Sequence, residues 1–502
     1  MRIVIARAKP EAIQKRKGWI ASPQAAAMTG EKQKFMEQYI NFFNTYRKEI
    51  DEGCSSLLNS YREKAFETFQ RIGFPAYKSE DYRHIHIADL LKEDFGFYLN
   101  RSGININPRM VFHCDVPNLN SHKHFAVNGH FYNEEAPKDL PPTVFSGSLN
   151  VFAEQYPQLF AKYYNQLVFA RHCEGVDCFT PFAMTEIASP QAAINDGLTA
   201  FNTAFVQDGY VLYVPENVVI EKTIQLTNIS AGNNTSLINR RMLFILEPGA
   251  QAKILVCDHA YDETPTTANT QVVEIFTGES AELDFCELEE SSPNTVRLTS
   301  NFVRQAASSQ VRITGITLSN GTTRNNYTID LTGEHAETYL YGMAIADSRQ
   351  KVDNHTLINH FAPNCRCNEL FKYILDDEAI GAFSGRIVVA KGAQKTEAYQ
   401  SNRNLLGSRN CRMFSKPQLE IYADDVKCSH GMTTGQLDEN ALFYLCSRGI
   451  PEDEAVLLLK FAFSNDVIQG IRMEGLRDRL KLLIEKRFRG ELVTCRDCGR
   501  KT

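Results

Sequence analysis

The sequence predicts a mainly β protein whose core is a parallel β-helix, a solenoid of stacked turns of strand, with helical regions before and after it. After Gly209, short runs of β-branched and aromatic residues alternate with small polar turns, a pattern typical of strands. These runs recur at a nearly constant spacing, whereas apolar residues on both sides of them follow a helical period. We therefore expect a disordered extension at 1–33, a helical and mixed region at 34–198, the β-helix at 199–435 and a helical region at 436–502.

Two amphipathic helices are predicted ahead of the core. Apolar residues recur at three- and four-residue steps from Phe35 to Ile50 and again from Leu58 to Phe69. A third helical pattern lies in VFAEQYPQLFAKYYNQLVFARH. The basic N-terminus has only a short apolar run, at residues 3–6, which does not fit a secretory signal. A helical pattern begins soon after Met28, so Met28 is a candidate natural start beside Met1.

The repeat in the core is defined by matching turn-and-strand segments. Aligning EPGAQAKILV, TGESAELDF, QAASSQVRIT and TGEHAETYL gives Ile254, Leu283, Val311 and Thr338 equivalent positions, at steps of 29, 28 and 27 residues. A later unit, AKGAQKTEAY, gives Glu397 the same position about two periods on, with APNCRCNELFKYIL as the intervening turn. A β-sandwich is the alternative, but hairpin signals every 8 to 12 residues or so are not clear.

The chain returns to a helical pattern after Gly435. Pro451 stands at a first helical position with three acidic residues behind it, which the helix dipole favours, and a second helix is expected from Asn465 to Arg487. The first helix has an unusually wide apolar face, formed by Leu457, Leu458, Leu459, Phe461, Ala462 and Phe463. We expect part of this face to meet another subunit.

Composition excludes several classes of protein. The chain of 502 residues has 54 basic and 60 acidic residues and a net charge of −6, which argues against nucleic acid or a membrane surface as the main partner. No apolar run approaches the roughly 18 residues needed to span a bilayer. Thirteen cysteines in such a chain are expected to be reduced thiols or metal ligands, so we expect a soluble, cytoplasmic protein.

Cys428 and His430 are the main candidates for chemistry. Residues two apart on a strand face the same side, with Cα atoms about 6.5 Å apart, so the thiol and the imidazole could share one metal ion. Two protein ligands do not complete a metal site. The residue types alone therefore favour a cysteine–histidine pair that binds no metal.

Other thiol clusters are weaker candidates. Cys365 and Cys367 form a second same-face pair near His355 and His360, but small core residues are the favoured interpretation. His172, Cys173 and Cys178 have a loose spacing for a metal site. Cys495 and Cys498 form half of a zinc ribbon, whose other half is missing.

The sequence contains few other catalytic motifs. Asp376, Asp377, Asp424 and Asp425 resemble the paired acids of glycan-cleaving β-helices, but adjacent strand residues face opposite sides, which favours solvated turn charges. There is no phosphate-binding GxxxxGK[ST] loop and no GxGxxG, GxSxG or HExxH motif in a suitable context. We therefore expect no nucleotide hydrolysis by this chain.

The segment SKPQLEIYADDVKCSHG, followed by FYLCSRGI, resembles the C-terminal signature of the SufB/SufD family of iron–sulfur cluster assembly proteins, and SufD in particular. SNRNLLGS and SEDYRHIHIADLL fit the same family, so the resemblance spans most of the chain. It implies a right-handed parallel β-helix that acts as a scaffold with a SufB-like chain and a SufC-like ATPase. The C-terminal helices, with Pro451, Leu457, Leu458 and Phe461, are then the expected ATPase dock.

The resemblance also implies roles for individual residues. Cys428 and His430 correspond to the family's cysteine and histidine associated with iron or cluster handling at the SufB interface, so the expected cargo is iron or an iron–sulfur cluster, held transiently and shared with the partner chain. Cys411 aligns with a cysteine that SufB proteins use, whereas Gly431 stands where SufB has a glutamate. A homodimer is expected when the chain is alone. A β-helix enzyme acting on polysaccharide and a metal-binding interaction protein remain as alternatives.

Overall fold

The computed structural model describes residues 19–21, 31–75, 82–100, 107–108, 119–132, 140–168, 196–261 and 265–491. Most of the predicted extension at 1–33, including Met28, lies outside these residues, as do His172, Cys173, Cys178, Cys495 and Cys498. None of the described helices combines the length and the apolar character needed to cross a membrane.

The helices fall into an N-terminal and a C-terminal set. They are α1 Glu31–Thr45, α2 Arg47–Asp51, α3 Ser56–Asn59, α4 Arg62–Ile72, α5 Ile87–Leu90, α6 Leu149–Gln155, α7 Pro157–Tyr163, α8 Gly197–Phe205, α9 Glu439–Ser447, α10 Glu452–Gln469 and α11 Glu474–Phe488. The sequence pattern that suggested one helix around VFAEQYPQLFAKYY is divided at Pro157, whose ring fits the first position of a new helix.

The strands alternate between two sheets. They are β1 Trp19–Ala21, β2 Gly96–Tyr98, β3 Ser121–Val127, β4 His130–Tyr132, β5 Phe145–Ser148, β6 Tyr210–Val214, β7 Thr223–Ser230, β8 Ser236–Leu246, β9 Gln251–Ala260, β10 Thr267–Thr277, β11 Glu282–Glu290, β12 Thr295–Gln305, β13 Gln310–Ser319, β14 Thr322–Leu331, β15 Glu337–Ala346, β16 Lys351–His360, β17 Arg366–Leu375, β18 Ile380–Val389, β19 Glu397–Leu406, β20 Arg412–Ile421 and β21 Lys427–Gly435.

Each turn of the chain adds one strand to each sheet. From β7 onward, odd-numbered strands pair in parallel in the second sheet, and the even-numbered strands from β8 pair in parallel in the first sheet. Parallel pairing of successive turns, with no helix between them, defines a β-solenoid of about seven turns. The predicted fold class is confirmed.

The register confirms that three of the four aligned residues occupy equivalent positions and corrects the fourth. Leu283, Val311 and Thr338 are paired partners, as the repeat predicted. The residue paired with Leu283 in β9 is Ala252, not Ile254, because the paired positions of β9 and β11 are 31 residues apart rather than 29. A shift of two residues keeps Ile254 on the inner face.

A second correction changes the face of a residue. The partner of Cys367, which continues the line from Thr338, is Ala398 rather than Glu397. A shift of one residue turns the side chain to the other face of the sheet. Glu397 accordingly lies outside the solenoid, where its carboxylate accepts hydrogen bonds from Arg366 (2.7 Å) and Lys427 (3.1 Å).

The interior of the solenoid is apolar along most rows and polar along a few. A large cluster of buried Val, Ile, Leu, Phe and Ala side chains fills the space between the sheets. Beside it, Arg297 donates to Asp258 (2.6 Å), Glu287 (2.9 Å) and Asn325 (2.6 Å), and all four residues are buried. Burial of these charges is tolerated because they satisfy one another.

The N-terminal region covers one end of the solenoid. It supplies β3, which pairs in parallel with β7, so a strand from before residue 199 belongs to the second sheet. Strand β4 then covers β3, and β5 and β6 cover part of β8. Helices α1, α4 and α8 pack their aromatic faces on the outer side of the first sheet.

The C-terminal helices do not lie over the other end. Helices α10 and α11 run along the outer face of the second sheet, where Val467, Ile468, Leu476 and Leu480 pack on apolar residues from β9 to β19. The last two strands, β20 and β21, therefore form an uncovered end among the described residues, and we refer to these two strands as the open end.

Candidate functional site

Cys428 and His430 lie on β21, the last strand of the second sheet. In the register, Cys428 pairs with Ala398 and His430 pairs with Gln400, so both side chains belong to rows that face the solenoid interior. Cys428 is half-buried and packs against the interior apolar cluster, whereas His430 is exposed. The predicted same-face pair thus stands at the open end, with one side chain anchored inside and the other accessible.

Burial raises the pKa of the Cys428 thiol, an effect that a hydrogen bond with the Ala398 backbone partly offsets. The free chain therefore keeps this group as a neutral thiol near pH 7. Thiols bind metals as thiolates, so an ion that binds here must displace a proton.

The row that ends at Cys428, the cysteine row, contains a second thiol. Cys367 lies two turns below Cys428, and only the small side chain of Ala398 separates them. Cys367 is fully buried, and burial raises its pKa well above the ordinary value, with a further contribution from Glu369. The remaining members of this row are Ala252, Leu283, Val311 and Thr338.

The row that ends at His430, the histidine row, changes character near the open end. The row begins at His122 on β3; its next five positions, from β7 to β15, are apolar, and its last three are Glu369, Gln400 and His430. The Gln400 amide Nε2 donates to Glu369 Oε2 at 2.7 Å, and both side chains are buried. The apolar members are Ile224, Ile254, Phe285, Ile313 and Leu340.

Cys411 does not join the pair. It directly precedes β20, whereas Cys428 follows the turn after β20, so ten residues of extended strand, about 30 Å, separate the two thiols. Its Sγ donates to the Ser408 carbonyl at 3.2 Å, and the side chain is buried. One metal ion cannot bind both Cys411 and Cys428 of the same chain.

The other predicted clusters adopt structural positions. Cys365 and Cys367 are both buried in the interior, which agrees with small core residues. His355 contacts Asp353 at 3.1 Å on the outer side of the first sheet. Within the described ranges, no group of three or more His, Cys, Asp or Glu side chains is arranged to hold a metal ion.

The acidic pairs do not face a common cleft. Asp376 accepts from Lys460 at 2.7 Å, and Asp377 accepts from the Ser348 amide at 3.0 Å, both in the turn after β17. Asp424 and Asp425 lie in the turn between β20 and β21. These positions agree with the interpretation as turn charges.

The predicted ATPase dock is only partly exposed. Leu458 is 41% exposed and Pro451 is exposed, but Leu457 is half-buried and Phe461 packs against the apolar cluster between the helices and the sheet. Part of the Phe461 ring therefore packs within this chain, and the rest of it stays accessible.

The more accessible apolar surface lies on α9, which the sequence did not single out. No residue of this helix is buried, and Phe443 and Tyr444 are 75% and 57% exposed. We call Phe443, Tyr444 and Leu458 the C-terminal patch. Single exposed apolar residues are ordinary, but two adjacent aromatic rings on a helix without a buried face indicate an interaction surface.

The open end also presents unpaired strand edges. Strands β20 and β21 have ten and nine residues, and each has a neighbour on one side only among the described residues. Pro417 in β20 fits such a position, because a proline is tolerated in an edge strand. Long free edges are usually covered by another chain or element.

Comparisons with known proteins agree on one family. The SufBD core domain of the SUF system for FeS cluster assembly matches residues 228–463, and the SufBD protein N-terminal region matches residues 33–226. An iron–sulfur cluster assembly SufBD family protein of Synechocystis is 27% identical over 442 residues, which cover 86% of this chain and 91% of that protein.

Two SufD proteins match shorter segments. The iron–sulfur cluster assembly protein SufD of Escherichia coli is 37% identical over 167 residues, or 33% of this chain and 40% of that protein. The Bacillus subtilis SufD is 28% identical over 294 residues, or 58% of this chain and 67% of that protein.

Proposed function

Because the chain belongs to the SufBD family of iron–sulfur cluster assembly proteins and is SufD-like, we propose that it is a scaffold subunit of an ATPase-driven assembly complex. In this role it binds iron or a nascent cluster as cargo and performs no catalysis alone. It works in the cytoplasm with a SufB-like chain and a SufC-like ATPase.

The observation that carries the proposal is the position of Cys428 and His430 at the open end. A thiol and an imidazole on neighbouring inner-facing positions supply two ligands of types that iron accepts. The described part of the chain offers no third ligand beside them. A partner chain that covers the open end would complete the ligand set.

The free edges of β20 and β21 support the SufB-like chain as this partner. An edge strand offers unpaired backbone groups, and a strand of another chain satisfies them by extending the sheet. Exposed apolar side chains of the same two strands, Ile421 and Met432, add surface that is suited to burial.

The C-terminal patch is the proposed ATPase dock. The sequence has no phosphate-binding loop, so ATP hydrolysis requires a separate chain. Helix α10, which carries Leu458 of the patch, also packs on β15 and β17 of the second sheet. Motion of the ATPase would then be transmitted through α10 to the second sheet, whose last strand carries Cys428 and His430.

The first experiment tests the cargo site. The chain is co-purified anaerobically with SufB-like and SufC-like chains, and iron and sulfide are measured after reconstitution. Cys428→Ala and His430→Ala are expected to lower the iron content while the complex still forms. Cys446→Ala and Ser429→Ala are matched controls, since they remove another half-buried thiol and the outward neighbour of the pair. Unchanged iron in both site variants would refute the assignment.

The second experiment tests the dock. Phe443→Asp and Leu458→Asp are expected to abolish binding of the ATPase without loss of the SufB-like chain. Leu482→Asp on α11 is the control, because Leu482 is 42% exposed and thus as accessible as Leu458. Undiminished ATPase binding in both patch variants would exclude this surface, and failure to bind either partner would exclude the scaffold role.

A further inference from the structure

The histidine row combines features that an ordinary solenoid interior does not need. Five apolar residues occupy its positions from β7 to β15, and a buried carboxylate and a buried amide then lie beneath His430. No cation pairs with Glu369 in the described structure, and burying a carboxylate without one is costly. Such a polar pair, confined to the two turns below the exposed histidine, indicates a role for that histidine.

The contact between the two buried side chains fixes the orientation of the amide. Gln400 Nε2 donates to Glu369 Oε2, so the amide oxygen, Oε1, is the atom left over. Gln400 is 3% exposed, and its Oε1 has no hydrogen-bond partner among the described residues. A buried acceptor of this kind favours any donor that can reach it.

The opposite sheet leaves room for this arrangement. Gly385 faces the amide, and a Cβ atom at that position would lie 2.3 Å from Gln400 Nε2. Any side chain larger than glycine there would displace the amide. Thr356, the neighbour of Gly385 in the same row, interacts with the Glu369 carboxyl.

His430 is the donor within reach. It is the row neighbour of Gln400, one strand spacing or about 4.8 Å away, and its exposed ring is free to rotate toward the amide oxygen. We propose that Gln400, oriented by Glu369, is a positioning residue for His430: its Oε1 accepts a hydrogen bond from one ring nitrogen and leaves the other nitrogen unprotonated and directed to the open end. Metal-binding histidines commonly have such a partner.

This inference rests on the proposed function, but its test does not need metal or partner chains. Long-range ¹H–¹⁵N correlation spectra of the full chain, with ¹⁵N-labelled histidine, report which nitrogen of each ring is protonated. The signal of His430 is assigned by its loss in His430→Gln. Spectra are recorded near pH 8, where an ordinary histidine, with a pKa of about 6.5, is neutral.

In the wild-type chain, His430 is expected to be a single tautomer. In the urea-unfolded chain, histidine is expected to show a mixture of the two tautomers. Gln400→Leu and Glu369→Leu are expected to shift His430 to the unfolded proportion. Glu369→Gln retains an acceptor for the Gln400 amide and is expected to keep the single tautomer. Ser401→Ala, on the outer face of the same strand, is the control for general changes in β19.

A His430 tautomer ratio that is the same in the wild type, in Gln400→Leu and in the unfolded chain would overturn the proposal. Loss of the single tautomer in Glu369→Gln as well would also overturn the role assigned to Glu369. These outcomes are separate from those of the iron measurement. A single His430 tautomer, together with unchanged iron in Cys428→Ala and His430→Ala, would sustain the positioning role and refute the cargo site. An unfolded-like tautomer ratio, together with lowered iron in those two variants, would refute the positioning role and sustain the cargo site.

Discussion

At the scale of single residues, the protonation of Glu369 makes the stability of the folded chain depend on pH. Burial raises the pKa of its carboxyl from 4.5 to about 7, although Thr356 and Gln400 partly offset the rise. Because the folded state holds this proton more tightly than the unfolded state, the stabilisation from protonation is complete below about pH 4.5 and is lost as pH rises through 7.

We therefore predict that Glu369→Gln becomes more stable relative to the wild type as pH rises. The gain should develop between about pH 4.5 and 7 and reach about 3 kcal/mol above that range, since one pKa unit corresponds to about 1.4 kcal/mol. Urea unfolding of both proteins at pH 5 and pH 8 measures it. Glu397→Gln is the control of opposite sign, because ion pairs with Arg366 and Lys427 lower the pKa of Glu397. A difference for Glu369→Gln that does not grow with pH would contradict the prediction.

Glycine positions inside the solenoid give a second test at this scale. Gly342 and Phe371 are neighbours in one row, and a Cβ atom at Gly342 would lie 2.1 Å from Cε1 of the buried Phe371 ring. Gly342→Ala should therefore lower the free energy of unfolding by about 1–3 kcal/mol, the usual effect of overpacking. Gly392→Ala is the matched control, since no atom lies within 4 Å of its added Cβ. Chemical denaturation of the two variants decides the matter, and equal stabilities would show that the ring moves aside freely.

At the scale of elements, one buried lysine attaches the C-terminal helices to the second sheet. The Lys372 ammonium on β17 donates to the Phe463 carbonyl at 2.7 Å and to Asp466 at 2.6 Å on α10, and its side chain is 3% exposed. Because both bonds are charge-assisted and the ammonium that donates them is buried, they fix the position of the helix on the strand.

Lys372→Met should loosen this attachment by about 1–3 kcal/mol while the solenoid stays folded. Faster amide hydrogen exchange confined to α10 and α11 would show it. Arg403→Met provides the comparison, because Arg403 approaches the same Asp466 at 3.8 Å from a half-exposed position, where an ion pair contributes at most about 1 kcal/mol. Equal protection of α10 in the wild type and Lys372→Met would remove this contact as the attachment.

Elements were predictable from the sequence where their pattern is local. Helix periodicity placed α1, α4 and α10 to within a few residues, and strand patterns placed the repeat from β9 onward. Register was less predictable, because it depends on the length of each turn. The step from β9 to β11 is two residues longer than the repeat assumed, which displaces Ile254 by two positions, and the longer turn before β19 places Glu397 on the outer face.

The site was predictable for the same reason only in part. A spacing of two residues on one strand is enough to place Cys428 and His430 on the same face. Gln400 and Glu369 are 30 and 61 positions before His430, and only the register brings them together. The signal that would have found them is the presence of Glu369, Gln400 and His430 at one register position in successive strands of the second sheet.

At the scale of the whole molecule, the two ends of the solenoid differ. Strands and helices of the N-terminal region cover the first turns, whereas the C-terminal helices fold back along the flank, so that no described residue covers the last turn. Solenoids normally have a polar cap at each end. The sequence could not reveal this asymmetry, since it depends on where α10 and α11 dock rather than on their helical character.

The open end should therefore govern the oligomeric state. In the absence of a SufB-like chain, we expect two copies to cover their free edges with each other in a two-fold symmetric contact, so that the isolated chain forms a concentration-dependent dimer. Met432→Glu should shift this equilibrium to monomer, because Met432 is 52% exposed on β21 and a carboxylate there resists burial. Val219→Glu changes a side chain that is 50% exposed beside the first turns and should leave the dimer intact. Sedimentation velocity over a range of concentrations distinguishes the two, and a wild-type chain that stays monomeric at every concentration would mean that the edges alone do not drive association. If they do, a SufB-like chain must compete with the homodimer for the same strands, and its addition should dissolve the homodimer as the mixed complex forms.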